Sequence, residues 1–242
     1  MRKILLSAAA VLAIGAGNAV AETTGSVGVT TTNNEYPSGF DYDTMELDAS
    51  VFHRITGPWA IQGEVGLEEV DYGGGNDDDG HHYAVHGLFA PDAYSVGLFA
   101  GQAEIFDTLE IDFFGAEGAY RFTNFTVSGS VIDGETSVDY DRYRVGGKYF
   151  FGDNLAVGAN YAMTEYGVSD WDTWDVGGEF RFGSFPITLT AGYLAQEGDS
   201  IDVETWQFGA RWSFGTANLR EDDRTAPIAD VDTYVGDLRR WD

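Results

Sequence analysis

The chain has 242 residues, a formal net charge of −27, a pI of about 4.1 and no cysteine. A chain this acidic repels nucleic acid, whose binding depends on basic contacts to phosphate. Its aromatic content of 14 % argues against disorder, and no second stretch is long and apolar enough for a transmembrane helix.

The first element is a leader. Met1-Arg2-Lys3 is followed by an apolar run over 4–16 and by Ala19-Val20-Ala21 before Glu22. A basic start, a short apolar run and an A-x-A-like end predict a secretory signal peptide over 1–21, excluded from the fold. Removing its two basic residues takes the net charge from −27 to −29. The lack of cysteine leaves the compartment open, since an exported protein without disulfides needs only another source of stability.

From residue 22 the chain is divided by Gly, Asn, Asp and Pro clusters into twelve segments of alternating apolar and polar residues. The first, 26–32, is the weakest. Segment 44–55 sets Met45, Leu47, Ala49, Val51, His53 and Ile55 on one face, and 59–70 does the same with Trp59, Ile61, Gly63, Val65 and Leu67. Segments 82–90, 93–102, 109–122, 125–132, 142–151, 155–164, 174–182, 185–195 and 205–214 follow. Successive strand side chains point to opposite faces, so each reads as a strand with one apolar face. The connections alternate in kind. Thr56-Gly57-Pro58, Pro91-Asp92, Thr123-Asn124, Gly152-Asp153-Asn154 and Gly183-Ser184 are tight, whereas 33–43, 71–80, 133–141, 165–173 and 196–203 are longer and mostly acidic. Each segment is about 9–11 residues, the length with which a tilted strand crosses a bilayer. Short turns on one side and longer loops on the other are the pattern of a membrane barrel, and closure follows because an open edge in hydrocarbon would leave backbone groups unpaired. The predicted fold is all-β: a closed antiparallel transmembrane β-barrel over 22–214, with twelve strands and a range of ten to fourteen.

The basic residues separate a lipid-facing from a core-facing apolar surface. Arg54, Arg121, Arg142, Arg144, Lys148, Arg181 and Arg211 lie within strands, and all seven fall opposite the apolar face. A cation facing lipid at mid-depth costs about 2–4 kcal/mol, which would exclude these residues from an outer face. The same polar face holds Glu46, Asp48, Glu64, Glu68, Glu117, Asp175 and Glu179. In one segment Glu110 and Asp112 share the phase of Phe114, Tyr120 and Phe122. Either they rise above the bilayer or a bulge shifts the phase. A repeated ending adds a second signal: Gly118-Ala119-Tyr120-Arg121-Phe122, Gly147-Lys148-Tyr149-Phe150-Phe151, Gly178-Glu179-Phe180-Arg181-Phe182 and Ala210-Arg211-Trp212-Ser213-Phe214. Alternate aromatics at that end predict a girdle at one membrane interface.

In these features the chain resembles the Gram-negative outer-membrane β-barrel proteins, in particular the small porin-like proteins of alphaproteobacteria. The resemblance covers about residues 22–214. It implies that Trp206, Phe208, Trp212 and Phe214 form a barrel-terminal signal read by the barrel-assembly machinery. It also implies a place in the outer membrane among lipid and lipopolysaccharide. The departure is that 28 residues follow Phe214. The segment 215–242 is polar, with Arg220, Arg224, Arg239 and Arg240 among seven acids, and Ala226-Pro227 precludes one long helix. It is expected to be a periplasmic C-terminal extension; a segment folding back to the barrel mouth is the sharper alternative.

The inward charges are candidate pore residues, and a barrel of this size suits a narrow lumen. The bases fall mostly on the later strands and Glu46, Asp48, Glu64 and Glu68 on strands two and three. A field across the lumen would follow, of the kind that sets ion preference. The predicted function is passive diffusion of small hydrophilic solutes or ions. A non-conducting barrel with an adhesive or envelope-structural role is the alternative, and a soluble β protein the third reading. No enzyme is expected: there is no G-x-S-x-G elbow, and the one clearly outward histidine, His53, has no outward Ser or Asp beside it. No cofactor or metal is expected either. The stretch 76–82 lacks the EF-hand spacing, and His81 and His82 point to opposite faces.

Overall fold

The computed structural model describes residues 23–73, 77–105, 109–135, 139–167, 169–183, 185–198, 202–229, 231 and 236. The expected signal peptide, and Arg239 and Arg240, lie outside the described residues. Twelve strands occur: β1 (Thr23–Glu35), β2 (Asp41–Thr56), β3 (Trp59–Asp71), β4 (Asp77–Phe89), β5 (Tyr94–Ile105), β6 (Leu109–Arg121), β7 (Phe125–Glu135), β8 (Asp139–Phe150), β9 (Leu155–Tyr166), β10 (Ser169–Arg181), β11 (Ile187–Gly198) and β12 (Asp202–Phe214). Each pairs antiparallel with its sequence neighbours. β1 pairs with β12 from Gly25 opposite Phe214 to Glu35 opposite Glu204, and this closes the barrel. No backbone edge is left for lipid to meet.

The alternation places the side chains as the segments predict. Val96, Leu98, Phe114, Tyr143, Val145, Val176, Trp206 and Phe208 are exposed on the outside. The intervening residues point inward, including all seven strand-borne cations. The outer rings form two belts. Near the short turns, Trp59 packs on Phe89 at 5.1 Å, Tyr120 on Phe122 at 4.7 Å and Phe180 on Phe182 at 4.9 Å. Toward the other end Tyr193 lies 5.4 Å from Trp174 and 5.0 Å from Trp206. Trp206 to Phe214 is eight residue steps, about 27 Å along the strand and roughly 20 Å vertically at a tilt near 40°, before the rings' own reach is added. This matches an apolar band about 25 Å tall bounded by aromatic girdles.

Two expectations about the strand ends change. The acidic connections are shorter than predicted, because strands of 11–16 residues continue into them. Asp41, Asp43, Asp77, Asp79, Asp170, Asp172 and Asp202 are strand residues. Above the apolar band the carboxylates meet water while the ladder continues, so charge does not end the strand. The phase conflict on β6 is resolved in the same way. Its pairing to β5 and β7 runs without a register shift, so there is no bulge. Glu110 and Asp112 point outward above the belt, where both accept from Gln102 Nε2, at 2.6 and 2.9 Å. The register shift among these ladders lies between Arg54 and Thr56, at the β2–β3 turn.

After Phe214 the chain turns at Gly215, whose φ is +78°. A Cβ there would stand 2.6 Å from the Thr23 carbonyl oxygen, so both conformation and space call for glycine. The turn sends the chain into the barrel and on to a short helix, α1 (Leu219–Thr225). Asn218 caps the helix by accepting from Glu221 N–H at 3.0 Å, and the Glu221 carboxylate accepts from Ala217 N–H at 2.7 Å. Gly215→Ala should weaken docking of the following segment by about 1–2 kcal/mol, the cost of a left-handed residue bearing a Cβ. Hydrogen exchange at 219–229 is the measurement.

Candidate functional site: the barrel lumen

The described part of the C-terminal segment lies inside the barrel. This corrects the expectation of a periplasmic extension for those residues and takes the fold-back alternative further, up the lumen. The polar composition of the segment points to a solvated tail. Leu219 nevertheless packs on Phe150 and Ala156, and Ala229 and Val231 are buried among Phe99, Ile111, Phe113, Ile132, Tyr140 and Trp171. These inward apolar residues on β5–β8 and β10 also revise the expected uniformly polar inner face. They form a dry patch at the loop end of the lumen, and the tail covers it.

Polar groups hold the tail between those contacts. Gln62 Nε2 donates to the Thr225 carbonyl at 3.0 Å, Arg144 Nη1 to the Ile228 carbonyl at 3.4 Å, and Ala229 N–H to Glu117 Oε2 at 2.9 Å. At the short-turn end the helix presents two carboxylates. Asp222 accepts from Arg181 Nη1 and Ser213 Oγ, each at 3.0 Å, and from the Thr216 hydroxyl. Asp223 accepts from Thr126 Oγ1 at 2.8 Å and lies 3.7 Å from both Arg121 Nε and Lys148 Nζ. Glu179 bridges Lys148 at 2.7 Å and Arg211 at 2.9 Å.

Beside the tail runs a cavity of about 400 Å³. It is lined by Glu46, Asp48 and Glu64, by Arg121, Arg144, Lys148 and Arg211, by Asp175 and Glu179, and by Asp222, Asp223 and Thr225 to Ile228 of the tail. β2 and β8 stand six places apart in a ring of twelve, so the acids of β2 face the bases of β8 across the lumen. Acids therefore stand on one side of the lumen and bases on the other, although Asp175 and Glu179 sit on the basic side. The remaining candidates are inward but placed otherwise. Arg54 Nη1 donates to the carbonyls of Gly57 and Ala90 and ties two turns together. Arg142 and Arg181 are each 1 % exposed. Glu68 faces inward near the loop end, opposite Glu46 in register. Glu117 is buried and accepts from the tail.

Sequence reasoning missed His86, which is fully buried with Nδ1 2.8 Å from Glu117 and Nε2 3.4 Å from Glu64. Its phase with Ala84 and Leu88 on β4, opposite Val85 and Gly87, is the signal that places it inward. His82 is inward as well, 4.0 Å from Glu46. The outward His53 shares a 2.9 Å hydrogen bond with the Thr23 hydroxyl. Asp77 to His82, from the stretch considered for a metal, belong to β4. Among the described residues no cluster of three or more His, Asp or Glu is arranged for a metal.

The terminal aromatics Trp206, Phe208 and Trp212 face outward on β12, with Phe214 5.5 Å from Trp212. A family model described as Gram-negative porin matches residues 120–222. This region runs from the end of β6 into the first half of α1 and contains most of the basic side of the lumen. No curated protein matches the chain. Solved structures do match. An outer-membrane channel from Pseudomonas putida F1 aligns with a TM-score of 0.63 at 10 % identity, covering 82 % of this chain and 97 % of the other. The KdgM porin in complex with disordered oligogalacturonate gives 0.57 at 10 %, covering 78 % and 99 %. The CymD monoaromatic hydrocarbon channel gives 0.53 at 9 %, covering 79 % and 88 %. At these identities the likeness establishes the fold alone, a closed antiparallel β-barrel.

Proposed function

We propose that the protein is an outer-membrane channel that passes small hydrophilic solutes or ions through a narrow, charged lumen. The observation that carries this reading is the partition of charge. Every strand-borne cation points inward, and a cavity lined by both signs runs beside the tail, while the outer face is an apolar band between aromatic belts. An inward-charged, outward-apolar barrel is the arrangement that lets water and ions cross a bilayer. The porin family match and the channel folds of the solved neighbours support the same reading. On it, the leader is cleaved on export, outer-membrane lipid and lipopolysaccharide surround the barrel, and the aromatic end at Phe214 is read by the barrel-assembly machinery. Passage is passive, with no catalytic step. We further propose kinship with the small porin-like proteins of alphaproteobacteria, on the pattern of alternating strands over about residues 22–214.

The second reading, a non-conducting barrel with an adhesive or envelope role, is favoured by one observation: the tail occupies part of the lumen. Planar-bilayer recording of the refolded full chain separates the two. Discrete current steps are expected for the channel. Persistent silence from protein that shows heat-modifiable gel mobility would overturn it.

A further inference from the structure

At the short-turn end of the lumen the barrel gathers four cations, Arg121, Lys148, Arg181 and Arg211, with one of its own carboxylates, Glu179, between two of them. Arg181 and Arg121 are answered from the tail, by Asp222 and Asp223. These are neighbouring residues of one helical turn, and their carboxylates occupy separate places. One lies against Arg181 and Ser213; the other lies against Arg121, Lys148 and Thr126. In the first place a guanidinium and a hydroxyl both donate to the carboxylate; in the second the Thr126 hydroxyl donates, and the Arg121 guanidinium and Lys148 ammonium stand 3.7 Å away as ion-pair partners. Charge-assisted donors fixed in this way make a carboxylate site, whichever molecule supplies the carboxylate.

We infer that this cluster is a binding site for small dicarboxylates, and that Asp222 and Asp223 occupy it as a ligand built into the chain. A solute entering the lumen meets cations held in place by the barrel and exchanges its carboxylates for those of α1. The site makes the lumen anion-selective in proportion to how far α1 gives way. The inference rests on the channel reading for the route by which solute arrives, but the site itself is a property of the barrel wall.

The test uses the full chain with Asp222→Asn and Asp223→Asn, which keeps the size of the tail and removes its charge. In planar bilayers the permeability of chloride relative to potassium should rise about tenfold, the low end of what a cleft of one sign does to local counter-ions. Millimolar succinate should then block the chloride current, and adding Lys148→Gln should relieve the block. If the wild type conducts while the double variant shows neither the selectivity change nor succinate block, the site is refuted and the channel reading stands. If both proteins are silent, the channel reading fails, and calorimetry with succinate on the detergent-folded variant decides the site: binding that Lys148→Gln weakens supports it, and no heat refutes it. If the double variant does not fold, the wild type serves. Succinate, but not chloride at matched ionic strength, should speed trypsin cleavage after Arg220 and Arg224; equal rates with the two salts would refute the exchange.

Discussion

Leu98→Arg should destabilise the barrel in lipid vesicles by about 2–4 kcal/mol, the cost of a cation facing hydrocarbon near mid-depth. Leu98 is the most suitable position because it is 70 % exposed and sits between the small residues Gly87 and Ala116 on the flanking strands. Little packing is lost on substitution, so the change reports the solvent outside the barrel. A surface leucine in water would respond within about 0.5 kcal/mol. Asp79→Arg is the control. It is also outward and exposed, but it lies near the start of β4 above the aromatic belt, where the same cation costs about 0–1 kcal/mol. Urea unfolding of both variants in vesicles is the measurement. Equal stabilities would mean that Leu98 does not face lipid, and the membrane reading would fall with it.

The barrel wall was legible in the sequence because a strand has a period of two. Fixing the phase of Val145 and Tyr149 also fixes Arg144 and Lys148 on the other side, and the same holds around the ring. What periodicity does not carry is the third dimension. Arg54 shares the inward phase of Glu46 and Asp48, yet it is spent on the carbonyls of Gly57 and Ala90, because it stands at the turn and not within the lumen. Strand ends were misread for a related reason: an acidic run looks like a loop in sequence, and only pairing shows that Asp77 and Asp79 continue β4. The tail was the largest gap. Leu219, Ala229 and Val231 are too sparse to show a period, and their partners lie on strands distant in the chain. The positive φ at Gly215 is likewise a backbone property that the letter Gly permits without requiring.

The tail also explains why an aromatic strand end can precede more chain. Phe214 completes the outer belt and the closing ladder, and the next residue turns inward, so the extra residues add nothing to the lipid-facing surface. The lumen gains an occupant that covers the inward apolar patch and answers two buried cations. A polar segment can then be tightly held without an amphipathic period of its own, since the barrel supplies both the apolar and the charged partners.

Asp222→Leu is the second substitution with a large expected effect. It leaves Arg181, which is 1 % exposed, with the carbonyls of Phe185 and Thr216 but no carboxylate. Removing one partner of a buried pair costs about 3–5 kcal/mol because the remaining charge stays desolvated. The loss should fall on docking of α1 and spare the barrel: the β10–β11 and β11–β12 ladders do not involve the tail, and regions of one protein open with separate free energies. Amide exchange over 219–229 should therefore quicken by about two to four decades, at 1.4 kcal/mol for each tenfold, while exchange in β10 and β12 and the heat-modified gel shift change little. Arg181→Met with Asp222→Leu removes both charges and should recover much of the protection, as replacing a buried pair by apolar groups often does. Slow exchange over 219–229 in the Asp222→Leu single variant would show that Leu219, Ala229 and Val231 hold the tail without the charge pair. Fast exchange in β10 would instead make Arg181 and Asp222 part of the barrel's own stability.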